Sequence, residues 1–594
     1  MRLCISRSKN SASLYVTKSI YENGNRSTKV VEKLGTYDEL KKKLDKQDPI
    51  EWAKKYIEEL NKKEKEEKQE IVVKYYPSKI IDKDTQQFFN AGYLFLQKMY
   101  HELKLDKLCE EISLKYKFTF NLDSVLSRLI YARIIYPSSK LTTFQLSSRF
   151  IEKPDFELQH IYRALEVIAK ESDFIQSYLY KNSLKVTKRN TGVLYYDCTN
   201  YFFEIEQEEG LKQYGISKEH RPNPIVQMGL FMDKDGLPLA FVINKGNTNE
   251  QLTLKPLEEK ILSDFNLSKF VVCTDAGLAS DSNRKFNTKG ERAFITTQSI
   301  KKLKTHLKEW ALDPSGWSLI DDKTKYNLAE IDRYNDGNDD SNKNKNKNKN
   351  NDGYKDKYKD KIFYKERWIN ERGLEQRLIV TYSIKYRDYQ RSIRSSQIER
   401  AQKVVDFNPK KIESCNPNDY KRFIEKKLLT EDEEKNIKHK MHYSINTELI
   451  SKESQFDGFY AVCTNLEDNV SSIIDANKRR WEIEECFRIM KSEFKARPVY
   501  LSRDDRIIAH FTTCFISLVI YRLVEQKLKN EYTCHEIIKG LRDMNLLRVR
   551  GEGYIPAYTR TNFTDDIHKA FGFRTDYQIV SNREMRKIFK HTKS

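Results

Sequence analysis

Paired cysteines, an apolar leader and a long uninterrupted apolar run are all missing from this chain. Its nine cysteines are scattered between Cys4 and Cys534 with no C-x-x-C pair, which removes the zinc-knuckle and dithiol-redox readings. They read as reduced thiols of a cytosolic protein. The opening residues, MRLCISRSKN, hold no apolar stretch of signal length, and the most apolar run, AHFTTCFISLVIYRLVE, is short and carries Arg522. Neither secretion nor a membrane span is expected. The protein is expected in the cytoplasm, beside the nucleoid.

At 594 residues the chain exceeds what one hydrophobic core supports, so two to four domains are expected. Hydrophobic residues at 38% and a total of 35 Tyr and 30 Phe are ample for folded cores. Lys and Arg number 107 against 87 Asp and Glu, a formal charge of +20. That balance favours a polyanionic partner through phosphate neutralisation and counterion release. An AT-rich gene encodes the same excess of Lys, Asn, Ile and Tyr, which accounts for the charge without a partner.

The pattern changes several times along the chain. Residues 1–83 read as short strands around a turn at Glu22 to Gly24, followed by a Lys/Glu-rich exposed helix. Residues 84–190 have helical spacing and read as a DNA-binding domain or a plain helical scaffold, with Pro137 closing one helix. Residues 191–300 switch to strands: GVLYYDCTNYFFEIE, a hairpin turning near AspLysAspGly, and KFVVCTDAGLAS. Residues 301–450 read as an inserted subdomain with a disordered, low-complexity loop near 334–361. Strand and helix return over 451–530, and 531–594 read as a C-terminal helical region. The expected fold is mixed α/β.

Two acids sit where strand-borne sites favour them. Asp197 lies inside the first strand of the sheet, and Asp275 follows a short apolar run and precedes AlaGly. A third comes from NKRRWEIEECFRIMKSEF. On one helix, Asn477, Arg480, Glu484, Arg488 and Lys491 step by 3, 4, 4 and 3 and share a face, while Ile483, Phe487, Met490 and Phe494 form the buried stripe. Intrahelical bridging from Arg480 through Glu484 to Arg488 explains the charges blandly. A carboxylate triad holding two metal ions, with cations gripping phosphates, explains them sharply. Trp310, Trp317 and Trp368 in the insertion are either core residues or a platform for an unpaired base.

The sequence resembles DDE transposases of the insertion-sequence-four superfamily, most closely the sixteen-thirty-four branch. The superfamily's signature, Tyr-x2-Arg-x3-Glu-x6-Lys, is matched at Arg480, Glu484 and Lys491, with Asn477 in the place of the Tyr. YYDCTNYFFE, YGISKEHRPNPIVQMGLFMDKDGLPLAFVINKGN, VVCTDAGLAS, FDGFYAVCTN and RPVY ahead of RIIAH agree in order and spacing.

The resemblance implies an RNase H-like mixed sheet flanked by helices, with a β-rich insertion between Asp275 and Glu484 and an N-terminal helical domain. It implies catalytic, metal-binding Asp197, Asp275 and Glu484 holding two Mg²⁺, with Mn²⁺ able to substitute. Arg480, Lys491, Arg488 and Asn477 would contact DNA. The partners implied are double-stranded DNA, both inverted-repeat ends and target, and a second copy of the chain in a synaptic homodimer. The implied activity is cleavage at element ends and strand transfer. The alternatives are a decayed transposase that binds DNA without cutting, and an RNase H-like nuclease that cuts but never joins.

Overall fold

A computed structural model describes residues 1–8, 11–22, 25–44, 48–67, 71–73, 76–320, 322–336, 358–407, 419–431 and 438–594. The chain divides into two compact units, Met1–Thr85 with Val549–Tyr554, and Gln86–Arg548 with Ile555–Ser594. In the first, β1 (Arg2–Ser8), β2 (Ser11–Glu22) and β3 (Asn25–Thr36) form an antiparallel sheet in that order. The predicted Glu22–Gly24 turn falls largely outside the described residues.

Thr36 and Glu39 close a capping box that starts the Tyr37–Lys43 helix. Leu40 from this helix packs with Leu14 and with Ala53 of the Pro49–Glu67 helix. The charged second helix therefore has one buried face, since Ala53 and Ile57 recur four apart.

The second unit is built on a ten-stranded sheet. Its strands are β5 (Val193–Phe202), β6 (Ile225–Asp233), β7 (Pro238–Lys245), β8 (Val271–Thr274), β9 (Ala293–Gln298), β10 (Trp317–Leu319), β11 (Asp322–Tyr326), β12 (Phe363–Glu371), β13 (Leu374–Tyr382) and β16 (Phe459–Thr464). The short β4 (Phe88–Asn90) pairs with residues 545–547, and β14 (Ile424–Glu431) pairs with β15 (Lys438–Ile445) in a separate hairpin.

The large sheet runs β11-β10-β12-β13-β16-β9-β8-β5-β6-β7. Its β7-β6-β5-β8-β9 half joins an antiparallel meander to two parallel strands, the mixed arrangement expected for an RNase H-like core. The insertion extends the same sheet: β13 and β9 both pair with β16. Trp317 lies fully buried in the core of this half, and Trp310 packs against that core. Trp368 is exposed. Most of the low-complexity tract, 337–357, lies outside the described residues.

Strand alternation decides which element covers which face of β5. Leu194, Tyr196 and Cys198 face the Leu254–Asp264 helix in one core with Phe231, Leu257 and Ile261. Tyr195 and Tyr201 face the other way, donating their hydroxyls to the Ala476 carbonyl at 2.8 Å and the Met490 sulfur at 3.8 Å. Gly229 on β6 is required here, because a Cβ would stand 2.3 Å from the Tyr196 hydroxyl.

The apolar run near residue 515 belongs to a 24-residue helix, Asp504–Lys527, longer than its sequence implied. By length and composition it is able to cross a membrane, yet nearly all of it is buried within the unit. Phe511 and Phe515 meet Tyr201 and Phe241 of the sheet, and Thr512 bonds Ser172 of the helical region. This one helix joins the sheet to the helices before it.

At the β6–β7 turn, Arg189 and Asp233 form a buried pair at 2.6 Å. Asp233 also accepts from the backbone N–H groups of Asp235 and Leu237, and Arg189 donates to the Leu237 and Pro238 carbonyls. Arg189→Met leaves a buried carboxylate without its partner, and is expected to cost about 3–5 kcal/mol in denaturant unfolding. A loss under about 1 kcal/mol contradicts this.

Candidate active site

The first two acids are brought together by strand register. In the parallel β5–β8 pair, Val193, Leu194 and Tyr195 stand opposite Val271, Val272 and Cys273. Continuing two places along both strands sets Asp197 beside Asp275, on the face shared with Tyr195. Asp275 is the first residue past β8. Its Oδ1 accepts from the N–H groups of Gly277 and Leu278 at 2.9 and 3.1 Å, turning the chain away from the sheet. Asp197 Oδ1 accepts from Cys198 N–H at 2.7 Å.

The segment carrying Glu484 is not the single helix its spacing implies. The Val470–Lys478 helix stops, a new one spans Trp481–Arg488, and Ile489–Glu493 form a π-turn. At the break, Arg480, Glu482 and Ile483 N–H groups reach carbonyls three residues back, a tight turn. At the far end Phe494 N–H reaches Ile489, five back. The apolar stripe is as the periodicity demands, with Ile483, Phe487, Met490 and Phe494 all buried.

Asn477 therefore sits on the preceding helix. It is buried, donates Nδ2 to the Tyr460 hydroxyl at 2.9 Å and accepts from the Cys273 thiol at 3.7 Å. It ties that helix to β16 and to the strand that presents Asp275. Here Asn477 is a buried positioning group.

Asp197, Asp275 and Glu484 line one open cavity of about 490 Å³, together with Thr199, Lys218, Arg480, Arg488, Lys491 and Arg497. Arg480 Nη1 stands 3.9 Å from Asp275, and Arg488 pairs with Glu485 at 3.0 Å. The bland intrahelical bridge through Glu484 is not formed. Glu484 is exposed, with no hydrogen bond or ion pair among the described residues. It also borders a second, more apolar cavity of about 390 Å³ lined by Tyr386, Tyr460 and Trp481.

Three of the cavity's cations lie outside the signature or reach into it from the π-turn. Lys491 Nζ donates to Thr199 Oγ1 on β5 at 2.7 Å and stands 3.6 Å from Glu219. Burial, with the charge of Lys218 adding to it, lowers Lys491 to about 8. Lys218 donates to the Cys198 carbonyl and lies 3.4 Å from Glu250. Its burial works against its charge, yet Asp197 and Glu250 raise it above the ordinary lysine value. Arg497 pairs with Glu219. Lys218 and Arg497 were not singled out from sequence, although both lie in segments that carry the resemblance, YGISKEHRPN and RPVY.

Burial pushes the Asp197 carboxyl up to about 6, with the Asp275 charge adding to it and Lys218 pulling the other way. Two carboxylates in mutual repulsion, and a third unengaged nearby, are a hard-oxygen donor set suited to Mg²⁺ or Mn²⁺ in type. Among the described residues, no three His, Cys, Asp or Glu side chains stand close enough together to chelate an ion. The donors fit such a cation chemically, and Glu484 would have to swing inward to complete the set.

The chain belongs to the DDE transposase family. Over residues 202–520, more than half its length, it matches the family described as the transposase DDE domain. That stretch includes Asp275, Arg480, Glu484 and Lys491 and begins just past Asp197. Among solved structures, a piggyBac transposase synaptic complex with hairpin DNA is similar over 84% of this chain and 85% of that one, at 8% identity and a TM-score of 0.33. So slight a likeness carries no weight for the site. No curated protein matches the chain.

The Asp197 shift makes a stability prediction. A carboxyl whose folded pKa is raised contributes stability below its ordinary value near 4, and that contribution is lost as pH rises through about 6. Asp197→Asn, in chelator, is thus expected to raise the melting temperature at pH 7.5 by about 2–3 °C, the equivalent of about 3 kcal/mol, with no gain at pH 4. Equal shifts at both pH values contradict the assignment.

Proposed function

We propose that this protein is the transposase of an insertion sequence, cutting DNA at the element's ends and joining the freed 3′ ends to target DNA. The observation that carries it is the meeting of Asp197, Asp275 and Glu484, from a strand, a strand exit and a helix, on one cation-rich cavity. Membership of the family supports the reaction class, and the motif order supports the insertion-sequence-four superfamily and its sixteen-thirty-four branch.

In this reading Asp197, Asp275 and Glu484 hold two Mg²⁺, for which Mn²⁺ substitutes. Bound there, the ions supply Lewis-acid activation of the attacking oxygen and stabilise the leaving one. The protein's own groups do the rest. Arg480, beside Asp275, directs its remaining donors into the cavity toward a phosphate. Lys491, held against β5 by Thr199 and stripped of much of its water, gains on meeting an anionic oxygen. Arg488 extends the cationic wall toward solvent.

Two element ends have to be handled at once, so the working form is a homodimeric synapse on double-stranded DNA, acting at the nucleoid. Decay to a binding protein would leave the acids without use. Asn477, the departure from the signature, has its own buried partners and needs no loss of activity to explain it.

The test is Glu484→Gln, with purified protein, terminal-repeat DNA and Mg²⁺. Glu484 is exposed, so the fold and DNA binding are expected to persist while cleavage falls by about three orders of magnitude or more, because the metal-holding set loses a carboxylate. Cleavage at near wild-type rate overturns the assignment. Wild-type cleavage without joining in a strand-transfer assay points to a nuclease instead.

A further inference from the structure

A separate cavity of about 320 Å³ lies in the same unit, where Arg133, Pro137–Ser139 and the start of the Lys140–Leu146 helix meet Lys495–Leu501. Its lining includes Arg133, Lys140, Lys495 and Arg497, and no Asp or Glu. Lys140 is 7% exposed. Its ammonium has no hydrogen bond or ion pair among the described residues and lines the cavity, a costly arrangement for a charge so largely buried. Burial, with Arg133 adding to it, drives its pKa down to about 7.

The surroundings give Lys140 no relief. Arg133, 5% exposed, donates to the Phe494 and Ser138 carbonyls at 3.0 and 3.4 Å, and its Nε has no partner. His510 on the same wall donates Nε2–H to the Ala496 carbonyl at 3.2 Å. It is held neutral by burial, with Arg133 and Lys140 disfavouring a further charge.

Such a pocket is complementary to an oxyanion, which would give the orphaned Lys140 ammonium a partner beside the Arg133 guanidinium. Arg497 lines this pocket and the carboxylate cavity alike. Arg133 holds the backbone at Phe494, the residue that closes the π-turn of Lys491.

We propose that the Arg133–Lys140 pocket seats a backbone phosphate of the DNA strand whose cleavage site lies at the three carboxylates. This rests on the reading of the protein as a transposase, and extends its DNA path beyond the signature residues. The ligand chemistry is a phosphate oxyanion, and its source is either the DNA backbone or phosphate free in solution.

The experiment uses the full chain, Lys140→Met and Lys140→Arg. Inorganic phosphate is titrated in a thermal-shift assay, and a short DNA duplex is bound over a range of salt. In phosphate-free buffer Lys140→Met should melt at or above wild type, because an unpaired buried charge is gone. It should lose the stabilisation by phosphate, bind duplex about 3–10-fold more weakly, and show a log K against log salt slope shallower by about 1. Lys140→Arg should restore both.

Phosphate stabilisation lost in Lys140→Met with duplex affinity and slope unchanged would mean that the pocket takes free phosphate, and overturns the DNA assignment. No response in either arm overturns the pocket as an anion site. Each of those failures leaves wild-type cleavage and joining of terminal-repeat DNA intact, whereas failure of the transposase reading would show as no cleavage or no joining by the wild type.

Discussion

The parallel pairing of β5 with β8 is the constraint on which the site depends. Tyr195 opposite Cys273 fixes the register, and a slip of one residue would turn either acid onto the opposite face. Both faces of β5 enforce that register: Tyr196 and Cys198 are locked in the core under the Leu254–Asp264 helix, and Tyr195 and Tyr201 are locked against the Val470–Phe494 segment. The acids need not attract each other to meet. Hydrophobic packing of their neighbours holds two repelling carboxylates side by side.

The third acid is placed by a different device. A continuous helix from Asn477 to Phe494 would carry Asn477, Glu484 and Lys491 on one straight face. The observed segment breaks at Arg479 and widens at Ile489, so each group reaches a different target. Asn477 goes into the core with Tyr460 and Cys273, Glu484 stands over the cavity, and Lys491 reaches Thr199 on β5. Irregular helical turns at functional positions are the usual sign of such redirection. Lys218 moderates the cost of burying Asp197, and Arg497 lines both this cavity and the one that holds Lys140.

Much of this was legible in the sequence. Period-two patterning marked β5 through β8 and the Asp233–Gly236 hairpin, and the stripe Ile483-Phe487-Met490-Phe494 marked the buried side of the glutamate segment. Three things were not legible. The break at Arg479 occurs without Pro or Gly, so no local signal announces it. Lys218 joins the site by tertiary folding from a loop, beyond the reach of periodicity. The extension of the core sheet by β10 to β13 depends on pairing between strands more than sixty residues apart in places, as for β13 with β16, which single-strand patterning does not encode.

The central claim is that Asp197, Asp275 and Glu484 form one divalent-metal site built by strand register. The most direct measurement is anomalous scattering from crystals of the protein soaked in Mn²⁺. The account predicts a manganese peak coordinated by the Asp197 and Asp275 carboxylates, with Glu484 drawn in to complete the set. Manganese bound elsewhere, with these three carboxylates left uncoordinated at saturating metal, would contradict it.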